Sequence, residues 1–205
     1  SHYQEFYIMK FAKITSALTI AAVSVALTQS VFAGPPKWAQ KNDLTIVDAA
    51  VGLSGGLGDF DDNPNDFDIL VAAVVATGYA GDPLNGEDDF TVFAPIDNAF
   101  ITLAGNPPDM NDNGSNEDEV VGALVGLLGL DGIRNVLDYH VTEGVRNSRS
   151  VTRARQITML DGNTINATGG FVEAIGSDAE FVMTDVRLTD GMIHVIETVL
   201  LPFAE

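Results

Sequence analysis

The sequence predicts an α+β domain, and three observations carry that expectation. Apolar residues recur at helical spacing through residues 45–140. From residue 141 onward they alternate with polar ones. A largely apolar strand stops at a proline in each half, at Pro95 and at Pro202. Helices gathered in the first half and strands in the second, with no internal repeat, describe one mixed domain.

Each element has its own signal. Thr45-Ile46-Val47-Asp48 is a capping box, a hydroxyl followed three residues on by an acid, and opens a short helix to Leu53. Residues 55–66 form a Gly/Asp/Asn-rich loop. Phe67, Leu70, Val71, Val74, Val75 and Tyr79 make one stripe of a second helix, with Gly81 placed to end it. Residues 90–94 read as a strand, and Asp97 or Asn98 starts the helix that carries Phe100 and Leu103. Residues 107–119 are polar and loop-like. Residues 120–130 are almost wholly apolar, with Gly122, Gly126 and Gly129 spaced three or four apart. That run is too short to cross a bilayer, so it is expected as a buried helix whose glycines admit a close neighbour. Asp131 opens another helix, with Ile133, Val136, Leu137 and His140 inward. Residues 156–160 and 163–167 are joined by Asp161-Gly162, a two-residue hairpin signal. Residues 171–175 pair with 180–184 around Gly176-Ser177-Asp178. Residues 186–188 precede a turn at Asp190-Gly191, and residues 192–201 are the last strand.

The chain of 205 residues carries a net charge of −19 and no cysteine. Met9 to Lys13 is a short basic region, residues 14–27 are apolar, and Val31-Phe32-Ala33 offers small residues where a signal peptidase reads. Residues 1–33 are therefore expected to be an upstream extension plus a secretory signal peptide, the first eight lying outside that pattern. Residues 34–42 read as a linker and 43–204 as the folded domain. No membrane span is expected after cleavage, and the protein is placed outside the cell, at its surface or in the periplasm. Loss of Lys10, Lys13 and Glu5 moves the charge to −20. Such a charge repels phosphate backbones, so no nucleic-acid partner is expected. Without cysteine the fold holds by its apolar core alone, and thiol catalysis is excluded.

Three phrases together carry a resemblance: Thr91-Val92-Phe93-Ala94-Pro95-Ile96-Asp97-Asn98-Ala99-Phe100, then Tyr139-His140, then Gly191-Met192-Ile193-His194-Val195-Ile196 running on to Pro202. Their wording and order resemble the fasciclin (FAS1) adhesion domain, over residues 44–202. The resemblance implies a wedge-shaped β-sandwich with helices packed along one side. It also implies a role in adhesion for Tyr139 and His140, or in holding the core beneath it. Ile96 departs from the family pattern, where a Thr is usual.

Several residues invite a chemical reading. Gly52-Leu53-Ser54-Gly55-Gly56 matches a nucleophile elbow, but that motif needs a strand entering and a helix leaving, the reverse of what surrounds Ser54. His140 and His194 sit on apolar faces, where an imidazole bonded to backbone groups is the plainer reading. Asp109, Asn111 and Asn113, followed by Gly114, reproduce the first half of a calcium loop, and Glu119 falls one place short of the bidentate position. Solvated acidic loops are preferred there, and weak calcium binding through Asp109, Asn111, Asn113 and Glu119 is the specific alternative; no other cofactor is expected. Arg146, Arg149, Arg153 and Arg155 gather four of the ten basic residues into ten positions. Pairing with nearby carboxylates is the plainer reading, and contact with an anionic glycan or a second copy is the functional one. The expected function is non-catalytic adhesion to a cell-surface or matrix protein or glycan. A carrier of a small lipid-like or pigment molecule is the alternative, and a serine hydrolase built on Ser54 comes last.

Overall fold

In the computed structural model, the described residues are 44–203 without 57–59, 61–62, 86–87, 106–116 and 169. Strands β1 (Phe90–Pro95) and β7 (Gly191–Ile196) form the centre. They run parallel, from Phe90 opposite Gly191 to Pro95 opposite Ile196. The two proline-ended phrases are thus hydrogen-bonded neighbours, and both strands are buried along their length, as parallel strands covered on both faces must be. The seven strands follow the order β2-β1-β7-β6-β5-β4-β3. These are β2 (Val141–Glu143), β3 (Ile157–Thr158), β4 (Thr164–Thr168), β5 (Phe171–Glu173) and β6 (Asp178–Leu188). Every pairing other than β1–β7 is antiparallel.

Alternation along the central pair sorts side chains into two cores. Phe90, Val92, Ala94, Ile193 and Val195 belong to the core shared with helices α1 (Ile46–Leu53), α2 (Asp68–Thr77), α3 (Asp97–Leu103) and α4 (Glu117–Asp138). Phe93 and Ile196 belong to the other. They meet Ile157, Ile165, Val172 and Phe181 from β3–β6, and Val151 of α5 (Ser148–Arg153). The sheet folds over itself into a sandwich with helices along one side, the α+β architecture that the resemblance implied.

Several local expectations are corrected. Helix α2 ends at Gly78, left-handed at φ 71, and Tyr79–Gly81 is a separate 3₁₀ turn. Asp97 does not cap its own helix; its carboxylate accepts from the N–H groups of Asp68 (3.0 Å) and Ile69 (2.8 Å), so it caps α2. The last strand stops at Ile196, although Leu200 and Leu201 stay buried. Helix α4 breaks at Gly129 (φ 66, ψ 172), where the sequence placed two helices. Its first half is not a buried helix. Gly122, Gly126 and Gly129 face open space, while Leu127 and Leu130 are 78% and 49% exposed. Among the described residues α4 alone is long and apolar enough to cross a membrane, but the break leaves no continuous span. The second half supplies the core residues Ile133, Val136 and Leu137.

Candidate functional site

Tyr139 and His140 lie at the end of α4, inside the molecule. The Tyr139 hydroxyl donates to the Thr164 carbonyl and accepts from the Ile175 N–H, each at 3.1 Å. Burial raises its pKa. His140 Nδ1 donates to the Val136 carbonyl (2.7 Å), and Nε2 accepts from the Leu200 N–H (2.9 Å). Its own carbonyl accepts from the Phe93 N–H. Both ring nitrogens are therefore committed in the neutral form, and burial pushes the imidazole down to about 4. The pair fastens α4 to β1, β4 and the C-terminal segment, with no polar atom left for a partner to reach.

His194 does comparable work one layer away. Its ring packs against Phe93 and Phe181, at 5.7 and 5.8 Å between centroids. Nε2 donates to the Arg146 carbonyl (2.8 Å) and Nδ1 accepts from the Asp185 N–H (3.3 Å). Burial lowers this pKa too. Asp185 sits at a register shift between β6 and β7, with φ 65, an uncommon value for a residue other than glycine. Its carboxylate takes both the Ser148 N–H and the Ser148 hydroxyl at 2.6 Å. Thr91 Oγ1 accepts from the Arg146 N–H (2.8 Å), and Asn147 caps α5 through the Ser150 N–H. The arginine segment is thereby pinned to the sheet. Arg149, Arg153 and Arg155 are exposed and Arg146 is half-buried. Among the described residues the one ion pair is Arg134 with Asp82 (3.2 Å), so the expected pairing of the four arginines with carboxylates does not occur there.

A third constellation has no counterpart in any sequence motif. Asp66, Asp68, Asp97 and Glu117 are all buried, and one oxygen from each lies within 4.8 Å of the others. A hard cation accepts such oxygens, and protons shared among the carboxyls relieve the same crowding. Burial pushes Asp97 up to about 6, against the pull of hydrogen bonds from Asp66, Ile69 and Asp68, with the Glu117 charge pushing the same way as burial. A carboxyl raised in the fold favours the native state when protonated. Its contribution is present below the unfolded value near 4 and is lost as pH rises to about 6. An asparagine side chain cannot ionise, so in thermal melts the deficit of Asp97→Asn against the parent should shrink as pH rises from 4 to 7. A deficit that grows over that range would show that Asp97 is ionised throughout.

A family model for the fasciclin domain matches residues 65–202. The chain belongs to the fasciclin domain family. Two Synechocystis sp. proteins are similar to it. The uncharacterized protein sll1735 is 30% identical over 115 residues, 55% of this chain and 72% of the relative. Protein sll1483 is 30% identical over 121 residues, 58% of each chain, so the match spans little more than half of that relative. Among solved structures, a FAS1 domain pair from the insect cell adhesion molecule fasciclin I is 22% identical with a TM-score of 0.46. That match covers 63% of this chain and 43% of the other.

The remaining candidates fall variously on this fasciclin domain. Asp109, Asn111 and Asn113 lie outside the described residues; Glu119 is exposed in the first turn of α4. Ser54 is fully buried at the end of α1, and its hydroxyl bonds the carbonyls of Val51 (3.1 Å) and Gly56 (3.2 Å). No strand enters that turn and its hydroxyl proton is engaged, so the nucleophile geometry is missing. Two apolar cavities of about 30 and 40 Å³ flank His140, Leu70 and Leu137 between the helices and the sheet. A cavity that takes up benzene is about 150 Å³, so neither of these holds a pigment or lipid as it stands.

Proposed function

We propose that this fasciclin domain is exported and binds a macromolecule of the cell surface or extracellular matrix without catalysing a reaction. The observation that carries this reading is the division of labour among the polar groups. Tyr139, His140, His194 and Ser54 are spent on internal hydrogen bonds, whereas a fixed arginine segment faces outward without ion pairs among the described residues. Family membership supports an adhesive role, as does the likeness of the leader at residues 1–33 to a signal peptide. Catalysis would need a nucleophile, a base and an orienting group converging on one reachable point, whereas Ser54, His140 and His194 are each engaged inside the fold.

The test is retention of the purified chain on envelope and matrix fractions of its own source cells. Saturable retention above that of an unrelated protein of equal negative charge is the expected result. Retention no greater than that control overturns the adhesive reading.

A further inference from the structure

We infer that the arginine segment 146–155 is a preformed docking strip for a sparsely charged acidic polysaccharide, one bearing carboxylate or sulfate groups along its chain. This rests on the adhesive reading above and names the chemistry of its partner.

The chain holds 29 acidic and 10 basic residues, so carboxylates far outnumber the cationic side chains they could pair with. Yet Arg146, Arg149, Arg153 and Arg155 form no ion pair among the described residues. The Nε of Arg146 is buried without a hydrogen-bond partner.

The strip is also held rigidly. The strip hangs on buried or half-buried anchors from three strands: Thr91 of β1, Asp185 of β6 and His194 of β7. Asp185 adopts a backbone conformation that a non-glycine residue rarely takes, and strain of this kind persists where the surrounding structure enforces it. Holding the segment before the ligand arrives removes part of the ordering cost of binding.

Spacing and chemistry select the ligand. Arg149 and Arg153 stand four residues apart on one face of α5, about 6 Å along the axis. Guanidinium is planar and offers paired N–H donors to carboxylate, sulfate or phosphate. Duplex nucleic acid carries a charge every ~1.7 Å of axis, far denser than this row, and the −19 body repels it most strongly. A second copy would bring its own −19 into contact. A narrow chain with about one anion per sugar touches the strip alone and meets the least repulsion.

Binding is measured by affinity electrophoresis of the purified chain in gels holding alginate, chondroitin sulfate, neutral dextran or duplex DNA, at low and high salt. The parent chain and an Arg187→Gln control, altered at an exposed arginine on β6 outside the strip, should be retarded by alginate or chondroitin sulfate at low salt only. Arg149→Gln/Arg153→Gln should lose roughly tenfold or more in affinity, as expected for two charge-assisted contacts. All three substitutions are at exposed positions, so thermal melts should coincide. No retardation of the parent by either acidic polysaccharide overturns the inference, as does equal retardation of the double variant. Equal or stronger retardation by DNA overturns the polysaccharide assignment. A concentration-dependent dimer that the double variant abolishes, without polysaccharide binding, assigns the strip to a second copy instead. The adhesive reading fails separately: envelope retention absent while alginate binding persists sinks that reading and leaves the strip standing.

Discussion

Replacing Gly191 with valine should abolish the cooperative unfolding transition, or lower stability by at least about 4 kcal/mol. Gly191 opens β7 opposite Phe90 of β1. An added Cβ would lie 1.9 Å from the Phe90 carbonyl oxygen and 2.9 Å from Ile46 Cδ1. The first neighbour is backbone of the central parallel pair, which cannot withdraw without parting the ladder. Its φ of 152 adds strain for any side chain. Gly162 separates the two effects, since it has φ 88 in the β3–β4 turn and nothing near its Cβ position. Gly162→Ala should therefore cost only the left-handed penalty of about 1–2 kcal/mol. Chemical denaturation of both variants checks the contrast. A folded Gly191→Val with a midpoint near that of Gly162→Ala would mean that β1 and β7 do not meet as described.

His140→Leu should cost about 3 kcal/mol while leaving the surface unchanged. Leucine fills the apolar site but leaves the Leu200 N–H and the Val136 carbonyl without the ring that now satisfies both. The effect depends on pH in a defined direction. A histidine whose folded pKa is lowered, here to about 4, stabilises fully above its ordinary value near 6.5, and that contribution is lost as pH falls toward 4. The gap between His140→Leu and the parent should therefore narrow as pH drops from 7 to 4. Asp97 acts with the opposite sign over an overlapping window, so the variant-minus-parent difference, rather than the parent profile, isolates each group. A gap that stays constant with pH would mean that the imidazole is not buried neutral.

What could be read from the sequence, and what could not, follows the range of the interactions. The capping box at Thr45 is local, and both of its hydrogen bonds are present. The Asp161-Gly162 hairpin and the break at Gly129 are local too. The two central strands were legible because residues buried on both faces read as largely apolar runs, although β7 ends at Ile196, short of Pro202. Asp97 and Asp185 were not legible in their roles. Asp97 caps a helix 28 residues away and Asp185 clamps Ser148 across 37, and no periodicity encodes such contacts. The four-carboxyl cluster was hidden for the same reason, since Asp66 and Asp68 at the start of α2 meet Asp97 of α3 and Glu117 of α4. The exposure of α4 was not legible because apolar content does not by itself fix burial: Leu127 and Leu130 face outward.

If the arginine strip recognises the partner, the Tyr139-His140 pair serves the structure alone. Envelope retention of Arg149→Glu/Arg153→Glu and of Tyr139→Phe, each with its melting temperature, tests that division most directly. The double arginine variant should melt like the parent and lose retention, while Tyr139→Phe should melt lower and, below its transition, be retained as the parent is. Full retention of the arginine variant, or lost retention in a folded Tyr139→Phe, would contradict it.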